Sequence, residues 1–310
     1  MPTMSLVRLR GPGGIGALAV EQGDIPGPGP GEAVVRVHAA AITRDELDWP
    51  ADRLPAIPSY ELSGTVEALA PDTADLAVGD AVYALTPFDA DGVAAEYAAV
   101  PTRLLAPKPR TLTHVEAAAL PLAGLTAWQG LFAHGRLAEG ERVLIHGAAG
   151  GVGHLAVQLA RWRGAYVIGT ATGAGVQRAR EFGAHEVIDR ASARFEEAAG
   201  TVDLVFDTVG GEALARSAAV LRQGGRIVCV AEEPPPAVAE AAETVYFVVE
   251  PSRGQLAELA RLADAGVIRP AIDSVFPLAR ARQAFQRVMM GGKSGKVVLD
   301  VADGQPAASG

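Results

Sequence analysis

Short runs of β-branched and apolar residues, separated by proline and glycine clusters, fill the first third of the chain. Val34, Val35 and Val37 sit in one run and Leu62–Leu69 in another; the turn Val78-Gly79-Asp80 feeds Ala81-Val82-Tyr83, and 92–100 forms one more. Clusters at 26–31, 55–58 and 107–109 punctuate them. Such a pattern predicts an irregular β-barrel or sandwich. The texture changes near Thr111: residues 114–119 and 122–134 are rich in Ala and Leu and predict helices. From Glu141 onward strands (142–146, 165–170, 187–188, 202–206, 225–230) alternate with helices (153–163, 175–182, 211–221). The strand cores VLI, VIG, LVF and IVCV are uniformly apolar, as a parallel sheet covered by helices on both faces requires. Leu256, Leu259 and Leu262 at helical spacing predict a helix over 252–265. Another helix is expected over 279–290 and a last strand over 296–301. The run Pro234-Pro235-Pro236 reads as a surface loop, and the small, polar residues 303–310 as a frayed tail.

Composition narrows the function classes. The 310 residues suffice for two domains, and 49% apolar against 20% charged residues allows a sizeable core. A net charge of −9 argues against nucleic acid or an anionic membrane as partner. No apolar run is long enough to span a bilayer, and the N-terminus lacks the apolar core of a signal peptide. The single cysteine, Cys229, excludes an internal disulfide and any Cys-rich metal site, and fits a reducing compartment such as the cytoplasm. A small-molecule partner is the class that remains.

The segment between the strand at 142–146 and the helix at 153 carries cofactor chemistry. It reads Gly147-Ala148-Ala149-Gly150-Gly151-Val152-Gly153, a dinucleotide fingerprint with Ala148 where the first glycine often stands. Gly150 lets the backbone approach a pyrophosphate, Gly153 lets the helix pack on the strand, and the helix N-terminus turns its free N–H groups toward the phosphates. Its place inside an alternating β/α run separates it from a bare glycine turn. An acid at the end of the second strand would favour NAD by binding the ribose 2′-hydroxyl. Here that stretch is Gly169-Thr170-Ala171-Thr172. Arg178, and also Arg190, are candidates to accept a 2′-phosphate, with Thr170 and Thr172 as hydroxyl contacts. NADPH is therefore expected in preference to NADH.

The chain resembles the medium-chain dehydrogenase/reductase superfamily, in its zinc-independent quinone oxidoreductase-like branch. The resemblance rests on VHAAAITRDELDW (37–49), IPSYELSGTV (57–66), VGDAV (78–82), GVAAEYAAV (92–100), AAALPLAGLTAW (117–128), LAEGERVLIHGAAGGVG (137–153), Phe182-Gly183-Ala184, Val187-Ile188-Asp189, FDTVG (206–210), residues 278–285 and GKVVL (295–299). It implies an α/β protein: a GroES-like β-rich catalytic domain (1–112 and 268–310) and a doubly wound Rossmann cofactor domain (113–267), with an active site in the cleft between them and commonly a homodimer. It further implies that 147–153 holds the pyrophosphate, that Thr208, Val209 and Ala231 approach the nicotinamide side, that Phe247 and Val248 flank its ribose, that Thr126 contacts the nicotinamide, and that Lys296 lies in a segment closing on the cofactor. Two departures stand out: Gly175 occupies the place of a lysine frequent in NADPH-specific relatives, and Arg190 that of a tyrosine.

Zinc-dependent relatives carry ligands at places occupied here by Ile42-Thr43, Ser59-Tyr60-Glu61 and Leu120-Pro121. Only Glu61 can ligate, and the six histidines are scattered, so no metal is expected. Without a Lewis acid, hydride addition to a quinone or an activated C=C is easier than to a simple carbonyl, because charge spreads over the conjugated system. Tyr60 stands where the zinc histidine would be, either as a hydrogen-bond donor to the substrate oxygen or as a cleft wall. Thr43 is the second candidate, for substrate or the carboxamide. Trp49 and Glu46 belong to the same loop, Trp49 to shape the pocket or pack, Glu46 more as a structural residue than as an acid catalyst. The alternatives are a zinc-free ketoreductase or tailoring reductase of secondary metabolism, and a non-catalytic NADPH-binding sensor or structural protein.

Overall fold

The computed structural model describes residues 2–71 and 73–302; the tail expected to fray, 303–310, lies outside the described residues. In chain order the strands are β1 (Thr3–Leu9), β2 (Leu18–Asp24), β3 (Glu32–Ile42), β4 (Glu61–Leu69), β5 (Ala81–Leu85), β6 (Tyr97–Pro101), β7 (Ala106–Pro107), β8 (Arg142–His146), β9 (Tyr166–Ala171), β10 (Glu186–Asp189), β11 (Val202–Asp207), β12 (Leu221–Cys229), β13 (Glu243–Tyr246), β14 (Ile272–Pro277) and β15 (Lys296–Asp300). The helices are α1 (His114–Ala118), α2 (Pro121–Trp128), α3 (Gly153–Trp162), α4 (Ala174–Glu181), α5 (Phe195–Ala198), α6 (Gly211–Arg216), α7 (Pro236–Ala241), α8 (Arg253–Asp264) and α9 (Ala281–Met289). No described helix is long and apolar enough to cross a membrane. Contacts divide the chain into two units: Met1–Leu122, Pro251–Asp264 and Ile272–Gly310 form the first, Ala123–Glu250 and Ala265–Ala271 the second. Helices α1 and α8 thus group with the first unit, whereas the sequence division at 112 and 268 put them in the second. The phenol of Tyr83 bonds the Leu256 carbonyl at 2.5 Å, tying α8 to β5.

The first unit is built on a seven-stranded sheet in the order β14-β15-β3-β4-β5-β7, with β6 also paired to β3. β3 is long and buried along most of its length, so it is the spine on which β4, β6 and β15 pair antiparallel. Val35, Val37, Leu62, Val82, Phe285, Val297 and Leu299 meet in one core. Two bulges interrupt the β3–β4 register, and beside one of them a Cβ on Gly64 would sit 2.2 Å from the Arg36 carbonyl oxygen. The hairpin of β1 and β2, which sequence reading missed, docks through single bridges at Leu6–Ala95 and Leu9–Ala56. The expected strand over 92–100 forms only from Tyr97. Residues 92–94 instead donate their N–H groups to the carbonyls of Ile57, Ser59 and Pro58, an approach so close that a Cβ on Gly92 would lie 2.0 Å from the Ser59 oxygen.

The second unit is a six-stranded sheet in the order β10-β9-β8-β11-β12-β13, every neighbouring pair parallel. Numbered from β8 this is the doubly wound dinucleotide order, with its topological switch point between β8 and β11. Leu144, Ile168, Val205 and Ile227 form its core. Three local expectations are corrected. The helix expected over 211–221 ends at Arg216 and passes through a 3-10 turn into β12. The residues after α2 continue as a π-helix over Gln129–His134, where Gly130 is pressed against Phe206, a Cβ there falling 2.4 Å from the ring. The proline run is not all loop: Pro236 opens α7, since a first-turn position needs no backbone N–H and suits the fixed φ of proline.

Gly64→Ala is expected to destabilise the first unit by about 1–3 kcal/mol, because the intruding methyl meets backbone that cannot give way. Urea unfolding measures it; an unchanged midpoint would contradict the close approach.

Candidate active site

The second unit's polar chemistry collects at the carboxyl ends of its parallel strands. Gly147 follows β8 with φ +74°, a left-handed value that favours glycine. A Cβ on it would meet the Thr208 hydroxyl at 2.8 Å and a Val209 methyl at 2.9 Å, so the loops after β8 and β11 touch at the switch point. Gly153 begins α3, and a Cβ there would fall 2.1 Å from the Gly147 oxygen. Only glycine lets this helix start so near the strand it follows. Gly150 is less crowded, its Cβ position lying 3.1 Å from the same oxygen. Ala148 is buried, and Ala149 nearly so. Gly169, which sequence reading passed over, makes room for Ala148: a Cβ on it would sit 2.6 Å from the Ala148 methyl. The signal was present as a glycine inside an otherwise apolar strand. Gly151, Val152 and Gly153 form the first turn toward α3, where helix N–H groups lack intrahelical partners and favour anions.

Around this turn the other residues expected at a cofactor are placed unequally. Thr172, after β9, Arg178 on α4 and Arg190, after β10, are exposed. Thr170 is fully buried, its hydroxyl 3.1 Å from His146 Nδ1 and 3.4 Å from the Gly147 N–H, so it braces the turn from behind. Thr208 donates its hydroxyl to the His146 carbonyl at 2.8 Å. Val209 and Val248 are exposed at 41% and 61%, unusual for valine and suited to an apolar contact. Ala231 is exposed after β12. Phe247 is buried against the His134 ring, 4.4 Å between centroids. Thr126 is buried within α2. Cys229 is buried and its thiol is pushed up to about 12 by burial, with Asp207 and Glu232 adding to the effect, which makes it an inert thiol.

In the first unit the loops after β3 and before β4 hold a buried cluster of charge. Glu46 is 1% exposed; it accepts the Thr43 N–H at 2.9 Å and the Ser59 N–H at 3.1 Å. Ser59 sits at φ +66°, held there as its hydroxyl donates to the Ala41 carbonyl at 2.8 Å. Burial pushes the Glu46 carboxyl up to about 8, against the pull of the Thr43 N–H and of Lys296, with the Glu61 charge adding to the rise and the Ser59 N–H opposing it. Glu61 accepts the Leu122 N–H at 2.9 Å and pairs with the Lys296 ammonium. Lys296 also donates to the Thr43 hydroxyl at 3.0 Å. Lys296, expected in a segment that closes on the cofactor, is 5% exposed and is held by Glu61 and Thr43. Glu46 likewise has both oxygens committed to backbone N–H groups.

Tyr60 is fully buried. Its ring packs on Trp49 at 5.5 Å and Phe88 at 5.4 Å. Its hydroxyl accepts from Arg53 at 2.9 Å, and Arg53 also donates to the Phe88 carbonyl at 2.6 Å. Burial raises the phenol above its ordinary value, against the Arg53 charge, so it stays protonated at neutral pH. Arg53 was not expected from sequence, being one of many arginines with no local pattern. Among the described residues there is no group of three or more His, Cys, Asp or Glu side chains placed to hold a metal, and Glu61 is already neutralised by Lys296.

Comparison with known proteins agrees with the fold. Residues 29–110 match the alcohol dehydrogenase GroES-like domain family and residues 182–299 the zinc-binding dehydrogenase family. The chain is 33% identical to a probable zinc-binding oxidoreductase, mitochondrial, of Arthroderma benhamiae, across 89% of this chain and 91% of that protein. It is 34% identical to 2-methylene-furan-3-one reductase of Solanum lycopersicum over 79% of this chain and 64% of that one. Among solved structures, the quinone oxidoreductase from Coxiella burnetii superposes with a TM-score of 0.91 at 29% identity, covering 97% of this chain and all of that one. A GroES-like β unit and a doubly wound parallel sheet on one chain define an α/β oxidoreductase that takes a nicotinamide cofactor. The chain belongs to the medium-chain dehydrogenase/reductase superfamily, in its quinone oxidoreductase-like branch, and is an NAD(P)H-dependent oxidoreductase.

Lys296→Met is expected to cost about 3–5 kcal/mol in urea unfolding, because it strands the buried Glu61 charge, and Glu61→Gln in the same chain to restore most of it. A second test concerns pH. A carboxyl raised from 4.5 to about 8 keeps in the native state a proton that the unfolded state has lost. Its stabilising contribution is full below about pH 4.5 and is lost as pH rises through 8. Glu46→Gln should therefore flatten the fall in stability across that window, as thermal melts would report; an unaltered pH profile would contradict the shift.

Proposed function

We propose that the chain is a zinc-free, NADPH-preferring reductase that delivers hydride to a quinone or to an activated C=C of an enone. The observation that carries the cofactor half is the switch-point turn, where Gly153 starts α3 against the Gly147 carbonyl and presents N–H groups suited to a pyrophosphate. The absence of an acid after β9, with Thr172 and Arg178 exposed beside it, supports the 2′-phosphate. When bound, the reduced nicotinamide supplies the hydride.

The substrate half rests on the first unit. The one cation of its buried cluster is the Lys296 ammonium, shared between Glu61 and Thr43. Because Lys296 donates to the Thr43 oxygen, the Thr43 hydroxyl hydrogen is left to point elsewhere, polarised by the ammonium. Thr43 is thus the hydrogen-bond donor assigned to the substrate oxygen as negative charge develops. Trp49 and Phe88, half-buried, are assigned as the aromatic wall for a flat conjugated substrate, with the fully buried Tyr60, held by Arg53, packed behind them. A hydroxyl donor is weaker than a metal ion and suits acceptors that delocalise charge. The names of two similar proteins, a furanone reductase and a quinone oxidoreductase, support that class. We further assign it to the cytoplasm, on the single unpaired Cys229, and to a homodimer.

Fluorescence titration with NADPH and NADH, followed by turnover with quinone and enone panels, tests this. NADPH should bind more tightly, and Arg178→Ala should weaken NADPH about tenfold while leaving NADH within about twofold. Equal losses for both cofactors would overturn the 2′-phosphate assignment, and absence of turnover with both panels the substrate class.

A further inference from the structure

The apolar strand VLIH ends in a polar residue that neither the turn's glycines nor any bound group explains. His146 is fully buried at the end of β8, between Thr170 on β9 and Asp207 on β11 in the sheet register. Its ring stands edge-on to Phe195, 4.7 Å between centroids. Both ring nitrogens are engaged: Nδ1 with the Thr170 hydroxyl at 3.1 Å and Nε2 with the Ser217 hydroxyl at 3.1 Å.

The proton positions follow from the partners. Ser217 gives its only hydroxyl hydrogen to the Ala213 carbonyl at 2.7 Å, and a carbonyl can only accept. Ser217 must therefore accept from His146, which places the ring hydrogen on Nε2. A neutral ring then has a bare Nδ1, which takes the Thr170 hydroxyl hydrogen. With that hydrogen spent, the Thr170 oxygen is left to accept the Gly147 N–H at 3.4 Å. One directed chain thus runs from the Gly147 N–H through Thr170, His146 and Ser217 to the carbonyl of Ala213 on α6. On its main chain, His146 also accepts the Thr208 hydroxyl at 2.8 Å. Burial, with Arg190 and Arg216 adding to it against Glu196, pushes the imidazole down to about 3, so the chain stays neutral across the working range of an enzyme.

We infer that His146, in its Nε2–H tautomer, is a positioning residue for the cofactor: its ring ties the end of β8 to Thr170 on β9 and to Ser217 after α6, and through Thr170 it orients the Gly147 amide at the head of the dinucleotide turn. This rests on the reading that 147–153 holds the pyrophosphate. The all-neutral chain holds the turn by hydrogen bonds. Each of its members has one hydrogen to give and none to spare, so removal of any hydroxyl leaves a buried donor or acceptor unpaired.

Two measurements test the inference on the full chain. The first needs no cofactor: nitrogen-15 NMR of the histidine-labelled protein should show one buried imidazole with a protonated Nε2 and a bare Nδ1, unchanged between about pH 5 and pH 8. The His146 signal is assigned by its loss in His146→Gln; a protonated Nδ1 on that ring, or its titration in that range, would overturn the chain. The second is NADPH binding by fluorescence. Thr170→Val, which keeps shape but removes the hydroxyl, should weaken binding about tenfold, and Thr170→Ser should restore it. Both variants are compared well below their melting temperatures, so that lost folding does not register as lost affinity. Wild-type affinity in a folded Thr170→Val protein would sink the positioning role. Failure of the unaltered chain to bind NADPH at all would instead sink the reading of the turn.

Discussion

The backbone of Gly153 lies so near the carbonyl of Gly147 that any side chain would collide with it, and the second unit is arranged around that contact. It fixes where α3 begins and therefore where the first free N–H groups of the helix point. Gly147 itself is left-handed and lies against Thr208 and Val209. Gly169 belongs to the same constraint, since its missing side chain admits Ala148 beneath the turn. Three glycines, one after β8, one on β9 and one at the head of α3, thus shape the turn at the switch point between β8 and β11.

In the first unit the corresponding constraint is electrostatic. Glu46, Glu61 and Lys296 are all buried, and a single ammonium serves one carboxylate and one hydroxyl. The raised carboxyl of Glu46 leaves the ion pair of Glu61 and Lys296 as the balanced charge of the cluster. Such a pair contributes little net stability, but each member is costly to lose alone. What it supplies is placement: Thr43 is held by its N–H on Glu46 and by its oxygen on Lys296.

Much of this was legible in the sequence. The alternating β/α run, the turn at 147–153 and the order of motifs fix a doubly wound sheet and a second β-rich unit, because apolar periodicity and glycine spacing are local signals. The hairpin of β1 and β2 was not legible: its second strand, LAVEQGD, is half polar and earns its place by pairing, not by pattern. Helix α8 had the right period, but its allegiance to the first unit depends on the Tyr83 bond to Leu256, a contact far apart in sequence. Side-chain direction was the other blind spot. Thr170 and Lys296 stand at the expected positions, yet one turns inward to His146 and the other to Glu61, and only the partners reveal it. Arg53 carried no motif, and His146 stood inside one only as the last letter of its strand, although a lone polar residue ending an apolar strand was a usable hint.

The most direct test of the account is isotopic. NADPH deuterated at the transferable position of nicotinamide C4 would be incubated with the protein and a simple enone, and the product examined by mass spectrometry and NMR. One deuterium at the β-carbon of the saturated ketone would establish hydride delivery to the activated C=C. Deuterium on a carbinol carbon, with the C=C retained, would contradict it and make the chain a carbonyl reductase.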